Sequence, residues 1–140
     1  KLLGINLDFV QDNISRSSKN VLRGMHFQRN YPQGKIVKAS RGEILDVIVD
    51  LRKDSSTYGS WESFKLSEQN KLQVWIPPGF AHGFLVMSDS ADFEYKCTEY
   101  YHPEDEHCLI WNDPEVAIDW PIKEPILSAK DRRGLFLKDL

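Results

Sequence analysis

Short apolar runs, each bounded by turn-forming residues, dominate the hydrophobic pattern of this chain. The runs are rich in β-branched and aromatic residues, and none shows the 3.6-residue apolar stripe of a long helix. Turn signals such as Arg41-Gly42 and Pro77-Pro78-Gly79 separate them. This pattern predicts an all-β sandwich or barrel, with a minor helical turn capped by Ser128 near the C-terminal end. The predicted strands cover residues 35–40, 43–51, 61–66, 72–76, 83–88, 92–100 and 107–111.

Alternation within residues 92–101 adds a prediction about the interior. The odd positions share one face of the strand, and they are Phe93, Tyr95, Cys97, Glu99 and Tyr101. Such an aromatic face is typical of the inside of a barrel. Tyrosine hydroxyls that are buried there need hydrogen-bond partners. Two interpretations stay open. In the first, the tyrosines belong to the core and their hydroxyls bond to the backbone. In the second, they point into a polar cavity. The alternation of the strand alone favours the first.

Composition limits the functional classes. A chain of 140 residues with 41% hydrophobic residues suits one globular domain, residues 1–140. The net charge of -3 argues against nucleic-acid binding, and no apolar run is long enough to span a membrane. Two cysteines form no recognisable metal or redox motif, which favours free thiols and a cytoplasmic location. The chain starts at Lys1 without a leader-like stretch, and we expect that an upstream segment precedes it.

The first candidate for chemistry is the stretch 21–28, which places His26 beside Arg23 on an apolar strand. A histidine in such a place is usually a core residue. Strict alternation would put Arg23 and His26 on opposite faces of the strand. A β-bulge at Gly24 would bring them together.

The second candidate is the stretch 75–84, where a Pro-Pro-Gly turn precedes His82. This arrangement is typical of the second conserved box of cupin barrels, in which the histidine often binds metal. The first box would supply a His-x-His pair, but here only His26 stands at the matching place. Two histidines fall short of the three or four ligands of a divalent site, so the sequence predicts a cupin without metal. His102 and His107 lie in a polar stretch and are expected to be exposed.

The third candidate is the stretch 128–131. Its carboxylate, Asp131, could orient the His26 ring and raise the basicity of the free ring nitrogen. It could equally belong to a surface turn, and the residues alone favour that simpler interpretation.

Taken in order along the chain, these motifs and several others resemble the dTDP-4-dehydrorhamnose 3,5-epimerase family. The resemblance runs nearly from end to end, although the family's N-terminal acidic-Arg-Gly-Phe-Phe motif is absent. That motif helps to bind substrate, including across a dimer. The resemblance implies a cupin-like jelly-roll β-barrel, a homodimer and no cofactor. The motifs that carry it are Phe9-Val10-Gln11-Asp12-Asn13, Ser15-Arg16-Ser17, Val21-Leu22-Arg23-Gly24-Met25-His26-Phe27-Gln28, Gln33-Gly34-Lys35, Arg41-Gly42-Glu43, residues 75–84, Ile110-Trp111-Asn112-Asp113-Pro114 and Leu127-Ser128-Ala129-Lys130-Asp131.

The resemblance also implies roles for individual residues. His26 is the base, Asp131 is its partner and Tyr95 is the acid. Lys35 lies near the sugar carbonyl, and Arg23 contacts the diphosphate. The remaining residues expected to line the site are Gln11, Asn13, His82 and Tyr101. The implied substrate is a dTDP-4-keto-6-deoxyhexose, dTDP-4-dehydro-6-deoxy-D-glucose.

There are three alternatives to a double epimerase. A relative that epimerises C3 alone would use the same base. A non-catalytic sugar-binding cupin would keep the arginine and the aromatic residues without needing the His–Asp–Tyr set. A metal-dependent cupin oxygenase is disfavoured by the missing His-x-His pair.

Overall fold

A computed structural model describes residues 4–140 of the chain. Strands and 3₁₀ turns make up its regular structure, and no helix in this range is long and apolar enough to cross a membrane. The 3₁₀ turns are Pro103–Asp105, Asp131–Arg133 and Leu137–Asp139. The strands are β1 (Gln11–Ser18), β2 (Leu22–Gln28), β3 (Lys35–Arg41), β4 (Glu43–Asp50), β5 (Trp61–Ser67), β6 (Val74–Ile76), β7 (Phe80–Val86), β8 (Ser90–Cys97) and β9 (Glu106–Cys108).

Two antiparallel sheets face each other across a hydrophobic core, as in a jelly-roll barrel. One sheet has the order β1-β8-β3-β6, and the other has the order β5-β4-β7-β2-β9. Val37 and Phe93 of the first sheet pack against Ile44 and Phe84 of the second. The predicted all-β, cupin-like fold is thereby confirmed.

The five-stranded sheet is covered on both faces. On its outer side, Leu22 and Val47 pack with Val116 and Trp120 from the C-terminal part of the chain. Burial on two faces explains why β4 and β7 read as nearly continuous apolar runs and not as alternating ones. The C-terminal part therefore forms an outer layer, which also carries Asp131 toward β2.

A β-bulge in β2 decides where its polar residues point. The pairing of β2 with β7 shifts register between Arg23 and His26. Gly24 lies there with φ +129, and a Cβ atom on it would come within 2.6 Å of Gly83 Cα and 2.8 Å of His82 O. Only glycine fits this position. The bulge anticipated at Gly24 is present, and Arg23 and His26 line the same cavity.

Several local predictions need correction. The sequence pattern did not predict β1, because its residues Gln11–Ser18 are mostly polar. The strand predicted over residues 92–100 ends at Cys97, so Tyr101 lies beyond it. The helical turn near the C-terminal end is the 3₁₀ turn Asp131–Arg133, and its N-cap is Lys130 and not Ser128. The Ser128 hydroxyl, one turn earlier, accepts the backbone N–H of Asp131 at 3.1 Å.

Candidate active site

A polar cavity of about 330 Å³ opens between the two sheets. Eight of the nine residues that the sequence singles out line it, and the ninth, Asp131, lies behind His26. The cavity is lined by Gln11, Asn13, Ser15, Arg23, His26, Gln33, Lys35, His82, Phe84, Phe93, Tyr95, Tyr101 and Glu106.

His26 and Asp131 form a hydrogen-bonded dyad at the cavity wall. The Nε2 atom of His26 lies 2.6 Å from Asp131 Oδ1, and Asp131 Oδ2 accepts the Gly24 N–H at 3.3 Å. Burial alone would raise the pKa of the Asp131 carboxyl, but the hydrogen bonds from His26 and Gly24 outweigh it and lower that pKa. A charged carboxylate fixes the proton of the neutral ring on Nε2, which leaves Nδ1 free to act as a base. The buried position of Asp131 excludes the simpler interpretation as a surface cap.

Tyr95 and Lys35 face the dyad from the other sheet. Tyr95 lies on β8 and Lys35 on the neighbouring β3, with the lysine Nζ 5.6 Å from the centre of the tyrosine ring. Burial raises the pKa of the Tyr95 hydroxyl to about 12, so the phenol stays protonated at neutral pH. Burial also lowers the pKa of the Lys35 ammonium, with Cys97 the largest influence in the opposite direction. An ammonium with a lowered pKa is a stronger acid, so it donates its proton more readily.

His82 forms a second histidine–carboxylate pair deeper in the barrel. Its Nε2 atom lies 2.7 Å from Oδ1 of Asp46, which is completely buried, and its ring stacks on Phe93. Burial lowers the pKa of His82 despite the neighbouring carboxylate, so the ring is neutral at pH 7. The Asp46 Oδ2 atom has no hydrogen-bond partner among residues 4–140. His82 therefore donates to Asp46 and keeps its other ring nitrogen as an acceptor.

Glu106 connects the remaining polar groups of the cavity. Its Oε2 atom lies 2.7 Å from Lys130 Nζ and accepts the Tyr101 hydroxyl, while its Oε1 atom lies 3.8 Å from His26 Nδ1. Burial would raise the pKa of Glu106, but Lys130 and Tyr101 outweigh it and lower that pKa. Nearby, Arg23 Nε donates to Ser17 Oγ at 2.9 Å, which orients the guanidinium.

One group of three metal-ligating side chains occurs within the described residues, and it consists of His26, Cys108 and Asp131. It does not include His82, the histidine of the second cupin box. The Cys108 thiol is buried and donates to the carbonyl oxygen of Gly24 at 3.4 Å. The prediction that the reaction needs no metal stays a prediction.

The chain is similar in sequence to one family of known proteins along almost its whole length. The model of the dTDP-4-dehydrorhamnose 3,5-epimerase family matches residues 1–139. The chain belongs to this family. The dTDP-4-dehydrorhamnose 3,5-epimerase of Pseudomonas aeruginosa is 54% identical over 137 residues, which cover 97% of this chain and 76% of the relative. The resemblance stated from the motifs is confirmed.

Solved structures of this family superimpose closely on the chain. The dTDP-6-deoxy-D-glucose-3,5-epimerase of Legionella pneumophila, in complex with dTDP-4-keto-L-rhamnose, has a TM-score of 0.95 and 55% identity, covering 98% of this chain and 73% of its own. A 3'-monoepimerase from Streptomyces bikiniensis, in complex with dTDP-quinovose, has a TM-score of 0.88 and 34% identity. The match covers 93% of this chain and 67% of the monoepimerase chain. The fold is thus shared by both kinds of epimerase.

Sequence reasoning missed two carboxylates of this site. The sequence does indicate that Asp46 has a special role, because it is a lone carboxylate inside the apolar run 44–49. A carboxylate buried in such a run needs a hydrogen-bond or charge partner. No such indication exists for Glu106, since it lies in a stretch that reads as an exposed loop. The two histidines of that stretch are not fully exposed, because His102 stacks on Tyr31 and His107 on Phe27.

Proposed function

We propose that this chain epimerises dTDP-4-dehydro-6-deoxy-D-glucose at C3 and C5, giving dTDP-4-dehydro-L-rhamnose by proton abstraction and return. The observation that carries the proposal is the placement of two proton-transfer groups on opposite walls of one cavity. His26 belongs to the five-stranded sheet and Tyr95 to the four-stranded sheet. Inversion of a carbon needs this arrangement, because the proton must leave one face and return to the other.

Proton abstraction is assigned to His26. The C4 ketone acidifies the hydrogens on C3 and C5, since either carbanion delocalises into an enolate. Nε2 is engaged by Asp131, so Nδ1 takes the proton, and the carboxylate stabilises the imidazolium that forms. Asp131 is a positioning residue, because it acts through the ring of His26.

Stabilisation of the enolate and return of the proton are assigned to the facing sheet. Lys35 donates to the oxyanion that develops at C4, an effect of roughly 2.7–4 kcal/mol for one well-placed donor. Tyr95 then protonates the carbon from the side opposite His26. Its raised pKa, about 12, keeps the phenol protonated until the carbanion is present. Only protons move in these steps.

Recognition of the nucleotide sugar is assigned to the polar rim of the cavity. Arg23 provides a cation for the diphosphate, and its hydrogen bond to Ser17 holds it in place. Binding of this remote group positions the sugar between the two sheets. The other residues proposed to contact substrate are Gln11, Asn13, His82, Tyr101 and, from the geometry, Glu106.

Epimerisation at C3 alone is the second candidate. The likeness to a 3'-monoepimerase favours it, whereas the higher identity to double epimerases favours the main proposal. Both reactions use one base, so the number of carbons that exchange hydrogen with solvent separates them. A non-catalytic sugar-binding cupin would exchange neither.

Replacement of Asp131 tests its positioning role. Asp131→Asn keeps the size of the side chain and an oxygen for the Gly24 N–H, but it removes the charge and allows the ring proton to sit on Nδ1. We expect turnover to fall by about 10²–10⁴-fold with little change in melting temperature. Steady-state kinetics and a melting curve check this result. A variant that keeps normal turnover, or that loses activity only in proportion to lost folded protein, would remove Asp131 from the mechanism.

Chelation tests the metal-free chemistry. Exhaustive treatment with a strong chelator, followed by assay in metal-depleted buffer, is expected to leave turnover unchanged, because the proposed steps only move protons between the sugar carbons and side chains. Activity that disappears on chelation and returns with one particular divalent metal would contradict the proposal. Metal analysis of the treated protein provides the control.

A homodimer in the cytoplasm is part of the proposal. Among residues 4–140, strand β1 is an edge of its sheet with no strand on its outer side, and Ile14 at its middle is 66% exposed. An apolar side chain on such an edge favours pairing with a second copy. Both cysteines are free and buried, which suits a reducing compartment.

Sedimentation tests the oligomeric state. We expect a dimer at micromolar concentration, and we expect Ile14→Lys to shift the equilibrium toward the monomer. Leu72→Lys is the matched control, because Leu72 is 56% exposed and lies outside β1. A monomeric parent chain, or equal dissociation of both variants, would count against β1 as the contact.

A further inference from the structure

The Cys108 thiol lies against the His26–Asp131 dyad and does not line the cavity. His26 on β2 and Cys108 on β9 are directly opposite each other in the antiparallel pair, so their side chains share one face. The Sγ atom lies 3.9 Å from Asp131 Oδ1, which in turn lies 2.6 Å from His26 Nε2. All three ligand atoms lie within 4.8 Å of one another. These three side chains are called the dyad–thiol cluster below.

The donor set of this cluster suits a particular class of cation. One imidazole nitrogen, one sulfur and one carboxylate oxygen match the ligands of Zn²⁺, whose bonds are about 2.0–2.2 Å to nitrogen or oxygen and about 2.3 Å to sulfur. Such bond lengths can be met by atoms at the separations observed here after small side-chain shifts. The hard cation Mg²⁺ prefers six oxygen ligands and does not match a thiolate.

We propose that the dyad–thiol cluster is an inhibitory binding site for thiophilic divalent cations, Zn²⁺ and Cd²⁺. The metal binds His26 Nε2, Asp131 Oδ1 and the Cys108 thiolate, and water completes the coordination. The Cys108 S–H bond breaks, and its proton leaves to solvent. The hydrogen bond between His26 and Asp131 is replaced by two metal–ligand bonds. The ring proton leaves Nε2 to solvent, and Nδ1 takes up one proton from solvent, so the ring stays neutral. No electron is transferred.

Binding in this manner disables the base. Nδ1 is the ring nitrogen that faces Glu106 and the cavity, 3.8 Å from Oε1. A metal on Nε2 leaves the neutral ring with its proton on Nδ1, so that nitrogen cannot accept a proton from the sugar. The inhibitory effect rests on the proposed function, whereas metal binding itself does not.

Direct binding is measured first, with no substrate present. Cd²⁺ is titrated into the protein, and the ultraviolet charge-transfer band of a Cd–thiolate bond is recorded beside the calorimetric stoichiometry. We expect one Cd²⁺ per chain with a thiolate band, and loss of that band in Cys108→Ala. Cys97→Ala is the matched control, because Cys97 is the other buried free thiol and lies outside the cluster. An unchanged band in Cys108→Ala, or loss of the band in Cys97→Ala, would overturn the site.

Inhibition is measured next, with each variant compared with its own metal-free rate. Zn²⁺ is expected to inhibit the parent chain reversibly, with recovery on chelation. Cys108→Ala should need at least about 10-fold more Zn²⁺ for the same inhibition, because one ligand is lost. Mg²⁺ at the same concentration should not inhibit. Equal sensitivity of the parent and Cys108→Ala, or equal inhibition by Mg²⁺, would overturn the inhibitory role. A Cd–thiolate band in a chain that shows no epimerisation would contradict the proposed function and leave the metal site standing.

Discussion

His26→Asn is expected to abolish exchange of solvent deuterium at both C3 and C5 of the keto sugar. The amide cannot take up a proton, and Nδ1 is the ring nitrogen left free by the hydrogen bond between Nε2 and Asp131. General base catalysis contributes about 10²–10⁴-fold, so turnover should fall by at least that factor. The measurement is deuterium incorporation by NMR, with a melting curve for the same sample.

A matched histidine provides the control. His107 stacks on Phe27 and does not line the cavity, so His107→Asn should retain both exchange reactions. If folded His26→Asn still exchanges deuterium at either carbon, another residue is the base. If activity and melting temperature fall together in His26→Asn, the role of His26 is structural.

Tyr95→Phe is expected to separate exchange from inversion. The substitution removes one hydroxyl from the four-stranded sheet and leaves His26 and Asp131 in place. The base can still remove a proton and return a solvent-derived one to the same face. We expect deuterium uptake to continue while formation of the inverted sugar falls by about 10²–10⁴-fold. NMR reports both quantities in one experiment.

Tyr58→Phe serves as the matched control, because Tyr58 lies outside the cavity. It should exchange and invert as the parent chain does. Tyr95→Phe that still inverts at the normal rate would show that a different group is the acid. A variant in which exchange and inversion disappear together, while the fold persists, would show that Tyr95 acts before the proton returns.

The fold was predictable because most strands carry strong local signals. β-Branched runs such as 43–51 and the Pro77-Pro78-Gly79 turn mark strands and their ends. Strand β1 escaped prediction, since a polar strand that lines a cavity has no apolar periodicity. Its pairing with β8 is a tertiary effect, and a single polar segment does not reveal it.

The candidate site was predictable in part from the residues and in part only from the resemblance. The bulge at Gly24 could be anticipated, because a glycine between Arg23 and His26 is the residue type that such a bulge requires. Asp131 could not be assigned to His26 by spacing, since 105 residues separate them and the residues alone favoured a surface turn. Glu106 gave no signal, because its burial depends on contacts with Lys130 and Tyr101.

The measurement that most directly tests the central claim uses the unmodified chain. It is incubated with dTDP-4-dehydro-6-deoxy-D-glucose in deuterated water, and the sugar is followed by NMR. Proton transfer across one cavity predicts deuterium at both C3 and C5, with formation of the product inverted at both carbons. Deuterium at C3 alone would identify a 3-epimerase. Absence of deuterium from both carbons, with the sugar bound and the chain folded, would contradict the account.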